Sequence, residues 1–172
     1  IDDMAAAGVT EIGIVISPTT GHEIQEAVGD GADFGVTVTY ICQDEPLGLA
    51  HCVLISRDFL GDDDFVMYLG DNMLEQGLAG FVAQFKDVRA AAGTPQLGKG
   101  PSAPPSAQIL LAEVADPTSF GVAELNDANE VVRLVEKPTN PPSNLALVGV
   151  YLFDKAIHNA VAAIEPSPRG EL

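Results

Sequence analysis

Apolar positions along the chain cluster into short, nearly continuous runs separated by stretches with helical spacing. Residues 11–17 (EIGIVIS), 36–42 (VTVTYIC) and 65–69 (FVMYL) are β-branched or aromatic over lengths that suit strands covered on both faces. Between the first two, Thr20-Gly21-His22-Glu23 has the spacing of a capping box, predicting a helix that runs through Ala27 and Val28 and stops at Gly29 and Gly31. Strand, helix and strand in that order predict a βαβ unit with a right-handed crossover. Residues 2–8 read as the last turns of a helix closed by Gly8. Residues 49–59 and 78–89 predict further helices, with Asp62 to Asp64 as a solvated charged turn between them.

The second half changes character. Residues 92–106 (AGTPQLGKGPSAPPS) hold Gly, Pro and Ser without periodicity and predict an exposed, flexible loop inside a single domain spanning 1–172. Beyond it, 108–112, 121–125 and 131–135 read as strands, the last two joined by the turn Asn126-Asp127-Ala128-Asn129. Residues 147–153 (LVGVYLF) predict another buried strand, and 154–164 a helix with Asp154 as its N-cap, ending before Pro166. The predicted class is α/β: an open, Rossmann-like, mostly parallel sheet with helices on both faces, plus an antiparallel hairpin region.

Composition narrows the partners. The 172 residues carry 25 Asp plus Glu against 8 Lys plus Arg, a formal charge of −17, so the surrounding field repels polyanions. Nucleic acid and anionic membranes are poor partners. A phosphate ligand must be held locally, by a few cations, by backbone N–H groups or through a bridged divalent cation. Acidity of this degree also suits a chain kept soluble in concentrated salt, which predicts a melting temperature that rises between low and molar KCl. Cys42 and Cys52 are too few for a disulfide scaffold and read as small core residues, and no zinc spacing is present. That cysteine usage gives the expectation of a reduced, cytoplasmic protein, and no apolar run reaches membrane-spanning length. The chain opens on Ile1 rather than Met and ends Gly170-Glu171-Leu172, and is expected to be an internal segment of a longer protein.

In open α/β sheets ligands bind beyond the carboxyl ends of the strands, and two segments fall there. One is residues 43–50 (QDEPLGLA); the other is Gly70-Asp71-Asn72. A Gly before an Asp lets a ligand approach the backbone while the carboxylate points outward, as a Mg²⁺ bridging phosphates requires; the same triplet also reads as a turn bonding its own backbone. Glu136-Lys137-Pro138 pairs a carboxylate with an ammonium that either face opposite ways or are turned together by a bend. With only four Lys in so acidic a chain, Lys137 is a phosphate-binding candidate, although an exposed charge pair is the plainer reading. His22, His51 and His158 have no spacing suited to a shared metal or a catalytic triad and are expected to be structural.

Taken together and in order, QDEPLGLAH (43–51), YLGDN (68–72), DPTSFGVAEL (116–125), VRLVEKP (132–138) and SNLALVGVYLFD (143–154) resemble the sugar nucleotidyltransferases, most closely the glucose-1-phosphate thymidylyltransferases. The resemblance covers essentially the whole chain except residues 92–106. It implies the nucleotide-diphospho-sugar transferase fold and attack of a sugar 1-phosphate on the α-phosphorus of a nucleoside triphosphate, with pyrophosphate leaving. Carried over by position, Gln43 would bond the pyrimidine edge, with Pro46, Leu47 and Gly48 walling the base pocket. Asp71 would hold Mg²⁺ in the nucleotide and metal site, and Lys137 would contact the sugar phosphate. Gly121, Glu136, Asn144 and Gly149 would complete the sugar site. The family's glycine-rich G-G-x-G-T-R loop and its second metal-binding Asp have no counterpart among these residues, so the chain alone is expected to be catalytically silent. The resemblance favours dTTP over UTP and implies a homo-oligomer. Competing readings are a non-catalytic sugar-nucleotide-binding module, a uridylyltransferase acting on another sugar 1-phosphate and, last, an interaction domain using the loop around Pro104.

Overall fold

The computed structural model describes residues 1–92, 103–167 and 170–172. It divides into two compact units: residues 1–65, 74–106 and 153–172 form the first, and residues 66–73 and 107–152 the second.

The first unit contains α1 (Asp2–Ala6), β1 (Glu11–Ile16), α2 (Gly21–Val28), β2 (Thr37–Cys42), α3 (Leu49–Ile55), α4 (Arg57–Leu60), α5 (Ala79–Ala92) and α6 (Ala156–Ala163). β1 and β2 pair in parallel from Glu11 opposite Thr37 to Ile16 opposite Cys42, so the predicted βαβ unit is present. Gly13 is required there by packing: a methyl group on it would lie 2.8 Å from the Phe59 ring. The capping box does not close at Thr20; Ser17 Oγ accepts the Thr20 N–H instead, at 3.2 Å. The helix expected over 49–59 is broken at buried Ser56, whose hydroxyl donates back to the Cys52 carbonyl at 2.7 Å. Such back-bonding competes with the regular ladder and bends or ends helices.

Leu78, Val82 and Phe85 on and beside α5 are buried with Ile12, Val53 and Val161, which supplies this unit's core. Each full burial stabilises by about 1.5–3 kcal/mol. Arg89 on α5 clasps the C-terminal part of the unit: it donates to Asp154 Oδ2 at 2.9 Å and to the Pro105 carbonyl at 2.8 Å, and its Nε lies 3.3 Å from Asp64. Asp154 meanwhile accepts the Ala156 N–H at 2.8 Å, so its carboxylate bonds the first turn of α6 although Lys155, and not Asp154 as expected, stands at the N-cap position. Asp62 to Asp64 are all exposed, the solvated turn expected, and within it Asp62 takes Arg57 at 3.1 Å and Lys155 at 3.4 Å. Cys42 is exposed, not a core residue as expected, because it is the last residue of β2 and points its thiol at Asp44.

The second unit is built on β3 (Phe65–Tyr68), β4 (Ala107–Glu113), β5 (Gly121–Leu125), β6 (Val131–Glu136) and β7 (Leu145–Phe153). These strands form one five-stranded sheet in the order β3-β7-β5-β6, with β4 also pairing β7. β3 therefore hydrogen-bonds in this sheet and not with β1 and β2, which pair as a separate two-stranded sheet. The antiparallel hairpin is as predicted: β5 and β6 run from Gly121 opposite Glu136 to Leu125 opposite Val131, with a bulge at Glu124/Leu125. Its turn is tied by Asn126 Oδ1, which accepts the Ala128 and Glu130 N–H groups at 3.0 and 2.9 Å. Val122, Ala123, Ala146 and Val150 are fully buried. Most of the loop expected at 92–106 lies outside the described residues. Among the described residues no helix is long and apolar enough to cross a membrane.

Candidate functional site

Strand register gathers the site of the second unit. Because Gly121 stands opposite Glu136, a methyl group on Gly121 would lie 3.1 Å from Glu136 Oε2 and 3.6 Å from Leu147. On β7, Gly149 has φ +72°, and a methyl group there would meet Asn72 Nδ2 at 2.6 Å and Leu69 Cδ1 at 2.8 Å. A larger residue there needs the Asn72 amide and the Leu69 side chain to move, and its left-handed backbone favours glycine whatever the space. Leu69 N–H donates to the Gly149 carbonyl at 2.9 Å, and Tyr68 OH to the Asn72 carbonyl at 3.0 Å. Asn72 Nδ2 reaches both Leu69 O at 3.4 Å and Asp71 Oδ1 at 3.2 Å. The Gly70-Asp71-Asn72 turn thus bonds its own backbone through Asn72, and Asp71 lies on the wall of a cavity.

These residues line a cavity of about 300 Å³, with Asp71, Asn72, Gly121, Glu136 and Gly149 on its wall beside Leu147 and Tyr151. Lys137 stands at its margin. Its φ of +41° is a left-handed backbone for a side-chain-bearing residue, its N–H donates to Phe120 O at 3.0 Å, and its ammonium lies 3.8 Å from Glu136 Oε1. The bend turns the two charges together, the second of the two expected arrangements. Holding a non-glycine residue left-handed costs on the order of 1–3 kcal/mol, an expense found where a side chain is being aimed. Asn144 is not on the cavity wall; its carbonyl accepts the Val114 N–H at 3.0 Å.

Tyr151 went unread in the sequence. It follows Leu147 and Gly149 at period two on β7, and that alternation was the signal for it. Burial pushes its phenol above the usual tyrosine range and the Glu136 charge pushes it further, so it stays protonated as a donor. The wall therefore offers two carboxylates, a phenol and an adjacent ammonium. That set accepts from sugar hydroxyls and takes a phosphate through Lys137 or a bridging cation; carboxylates alone repel it.

The base-site candidates lie in the first unit, between β2 and α3. Gln43 Nε2 donates to Gly48 O at 3.3 Å and lies 3.0 Å from His51 Nδ1. Gly48 has φ +98°, and a methyl group on it would collide with the Leu172 carbonyl. The segment is pinned by Leu172, whose N–H donates to Leu47 O at 2.7 Å and whose carbonyl accepts Ala50 N–H at 3.3 Å. Leu47 and Gly48 are thus held against the Leu172 backbone. His51, expected to be merely structural, bonds directly to Gln43, a link between residues eight apart that no spacing motif announces. The Cys52 thiol also contacts Gly48 O at 3.4 Å; burial pushes it up, so it stays protonated despite its bond with Gln43.

Among the described residues no group of three or more His, Cys, Asp or Glu gathers to cage a metal. Asp71, held by Asn72 on the cavity wall, is the carboxylate that would hold a hard divalent cation there, which would supply charge neutralisation for phosphate.

The nucleotidyl transferase family model matches residues 1–172, and the chain belongs to that family. Within it, the chain is 54% identical over 172 residues to the glucose-1-phosphate thymidylyltransferase of Streptomyces antibioticus, covering all of this chain and 44% of that protein. It is 45% identical, with the same coverage, to the low-salt glycan biosynthesis nucleotidyltransferase Agl11 of Haloferax volcanii. Among solved structures it resembles a Bacillus anthracis protein assigned as a glucose-1-phosphate thymidylyltransferase and crystallised with sucrose, with TM-score 0.83, 30% identity and coverage of 99% of this chain and 63% of that one. A UDP-glucose pyrophosphorylase complexed with UDP-glucose shares the fold at TM-score 0.72 and 18% identity, over 99% of this chain and 68% of that one. The chain spans less than half the length of the two curated relatives.

Proposed function

We propose that the whole protein transfers a thymidylyl group from dTTP to glucose 1-phosphate. A phosphate oxygen of the sugar attacks the α-phosphorus, the bond between α- and β-phosphates breaks, and dTDP-glucose and pyrophosphate leave. The observation that carries this is the cavity joining Asp71, Gly121, Glu136 and Gly149 with Lys137 at its margin, four wall residues from four separated segments held by sheet register. The names of the relatives support the choice of dTTP and glucose 1-phosphate.

In this reading Glu136 and Tyr151 hold sugar hydroxyls, Gly121 and Gly149 leave room for the ring, and Lys137 takes the sugar phosphate. Asn144 contributes from outside the cavity wall. Asp71 holds Mg²⁺, which when bound neutralises triphosphate charge. Gln43, against the Pro46, Leu47 and Gly48 wall, bonds the base. The reaction is one of positioning and charge neutralisation, with no covalent intermediate on the protein. We place the activity in the cytoplasm, following the two unpaired cysteines, and in a homo-oligomer, following the resemblance.

The test is pyrophosphate release with Mg²⁺, glucose 1-phosphate and either dTTP or UTP, by the 172-residue chain and by a protein extended to the length of its relatives. The expected result is turnover by the extended protein alone, faster with dTTP. Silence in the extended protein that still binds dTDP-glucose would replace this reading with a non-catalytic binding module; preference for UTP would replace dTTP.

A further inference from the structure

We infer that His51 is a positioning residue that fixes which edge of a pyrimidine Gln43 reads. The inference rests on the base-binding role proposed for Gln43 and adds the orientation of its amide. The Gly48 carbonyl has only lone pairs, so the Gln43 atom facing it at 3.3 Å is the amide nitrogen. That same nitrogen lies 3.0 Å from His51 Nδ1. An amide nitrogen offers two hydrogens and accepts nothing, so Nδ1 is the acceptor and the imidazole carries its proton on Nε2.

Both amide hydrogens are thereby spent inside the protein, in a part-buried setting, and Oε1 is the one polar group Gln43 has left to offer. A free glutamine can rotate its amide and satisfy either a donor or an acceptor on a ligand; a glutamine held in this way can only accept. Thymine and uracil present a ring N3–H to such a group. Cytosine presents an N3 lone pair and is repelled. Without His51 the amide keeps the 3.3 Å bond to Gly48 and its bond with the Cys52 thiol, but the hydrogen that faced Nδ1 loses its acceptor and is released to donate to cytosine N3. The surrounding backbone makes the arrangement rigid, since Leu172 pins the loop on both sides of Gly48.

Two measurements test this. Nitrogen-15 NMR of the 172-residue chain reads the tautomer: the expected signal is an unprotonated Nδ1 and a protonated Nε2 on His51, and a proton on Nδ1 would overturn the inference. In the extended protein, His51→Leu is expected to lower the dTTP-over-dCTP preference about tenfold, through the KM for dTTP with kcat nearly unchanged, while His51→Gln, which restores an acceptor, recovers most of it. An unchanged preference in His51→Leu overturns the inference. Gln43→Ala separates the two failures: if it leaves the KM for dTTP untouched, the base-binding reading falls and the inference with it; if it raises that KM while His51→Leu does not, only the role of His51 falls.

Discussion

Two regions of the molecule, the second-unit cavity and the side-chain ties of the first unit, are held in different ways. In the second unit the backbone fixes the wall: the β5/β6 register sets Gly121 against Glu136, and left-handed Gly149 leaves the space that Asn72 and Leu69 fill. In the first unit side chains do the holding: Gln43 is aimed by one carbonyl and one imidazole, and Arg89 ties Asp64, Pro105 and Asp154 together. A backbone-built site is rigid but intolerant of added atoms. A side-chain-built site tolerates exchange of atoms but depends on protonation and tautomer.

The sharpest way to break this contrast is to add a methyl group at Gly149. Gly149→Ala combines a left-handed backbone with a contact at 2.6 Å and should cost about 3 kcal/mol in urea unfolding; a loss below about 1 kcal/mol would show that the turn after β3 yields easily. Arg89→Met comes next, at about 2 kcal/mol, because it leaves Asp154 without its charged partner while keeping much of the side-chain bulk.

The same clasp predicts a pH dependence. Burial opposes ionisation of Asp154, but the Arg89 guanidinium, the Ala156 N–H and the Ser106 hydroxyl together hold its carboxyl below the usual aspartate range. A carboxyl depressed in the folded state contributes stability that is present above its unfolded pKa and is lost as pH falls through the folded value. Acid unfolding of Arg89→Met should therefore begin at higher pH than in the unsubstituted chain, with the two curves differing least at the most acidic end. Smallest is the effect of Glu136→Gln on Tyr151: removing the charge should lower the phenol pKa slightly while burial keeps it raised, read by ultraviolet titration.

Much of this was legible in the sequence, for physical reasons that also mark where legibility stops. Apolar runs and turn residues locate β1, β2, β5, β6 and β7 to within two residues because strand and hairpin signals are local. Sheet membership is not local: FVMY in β3 is apolar on both faces whether it extends β1 and β2 or pairs β7, and the structure chooses β7. The break at Ser56 depends on one hydroxyl turning back to Cys52 rather than outward, which periodicity does not record. Asp71, Gly121, Glu136 and Gly149 were found through their motifs, and the cavity brings them together. Tyr151 was readable from the alternation of β7 but carries no motif. His51 has neither metal nor triad spacing, and its partner is an amide eight residues away, a pairing that no sequence motif records.

The central claim, that the second-unit cavity receives the sugar 1-phosphate, is tested most directly by steady-state kinetics of Glu136→Ala in the extended protein. The predicted result is a KM for glucose 1-phosphate raised about tenfold or more by loss of charged hydrogen bonds, with the KM for dTTP unchanged. An unchanged KM for glucose 1-phosphate, or an equal rise for both substrates, would contradict it.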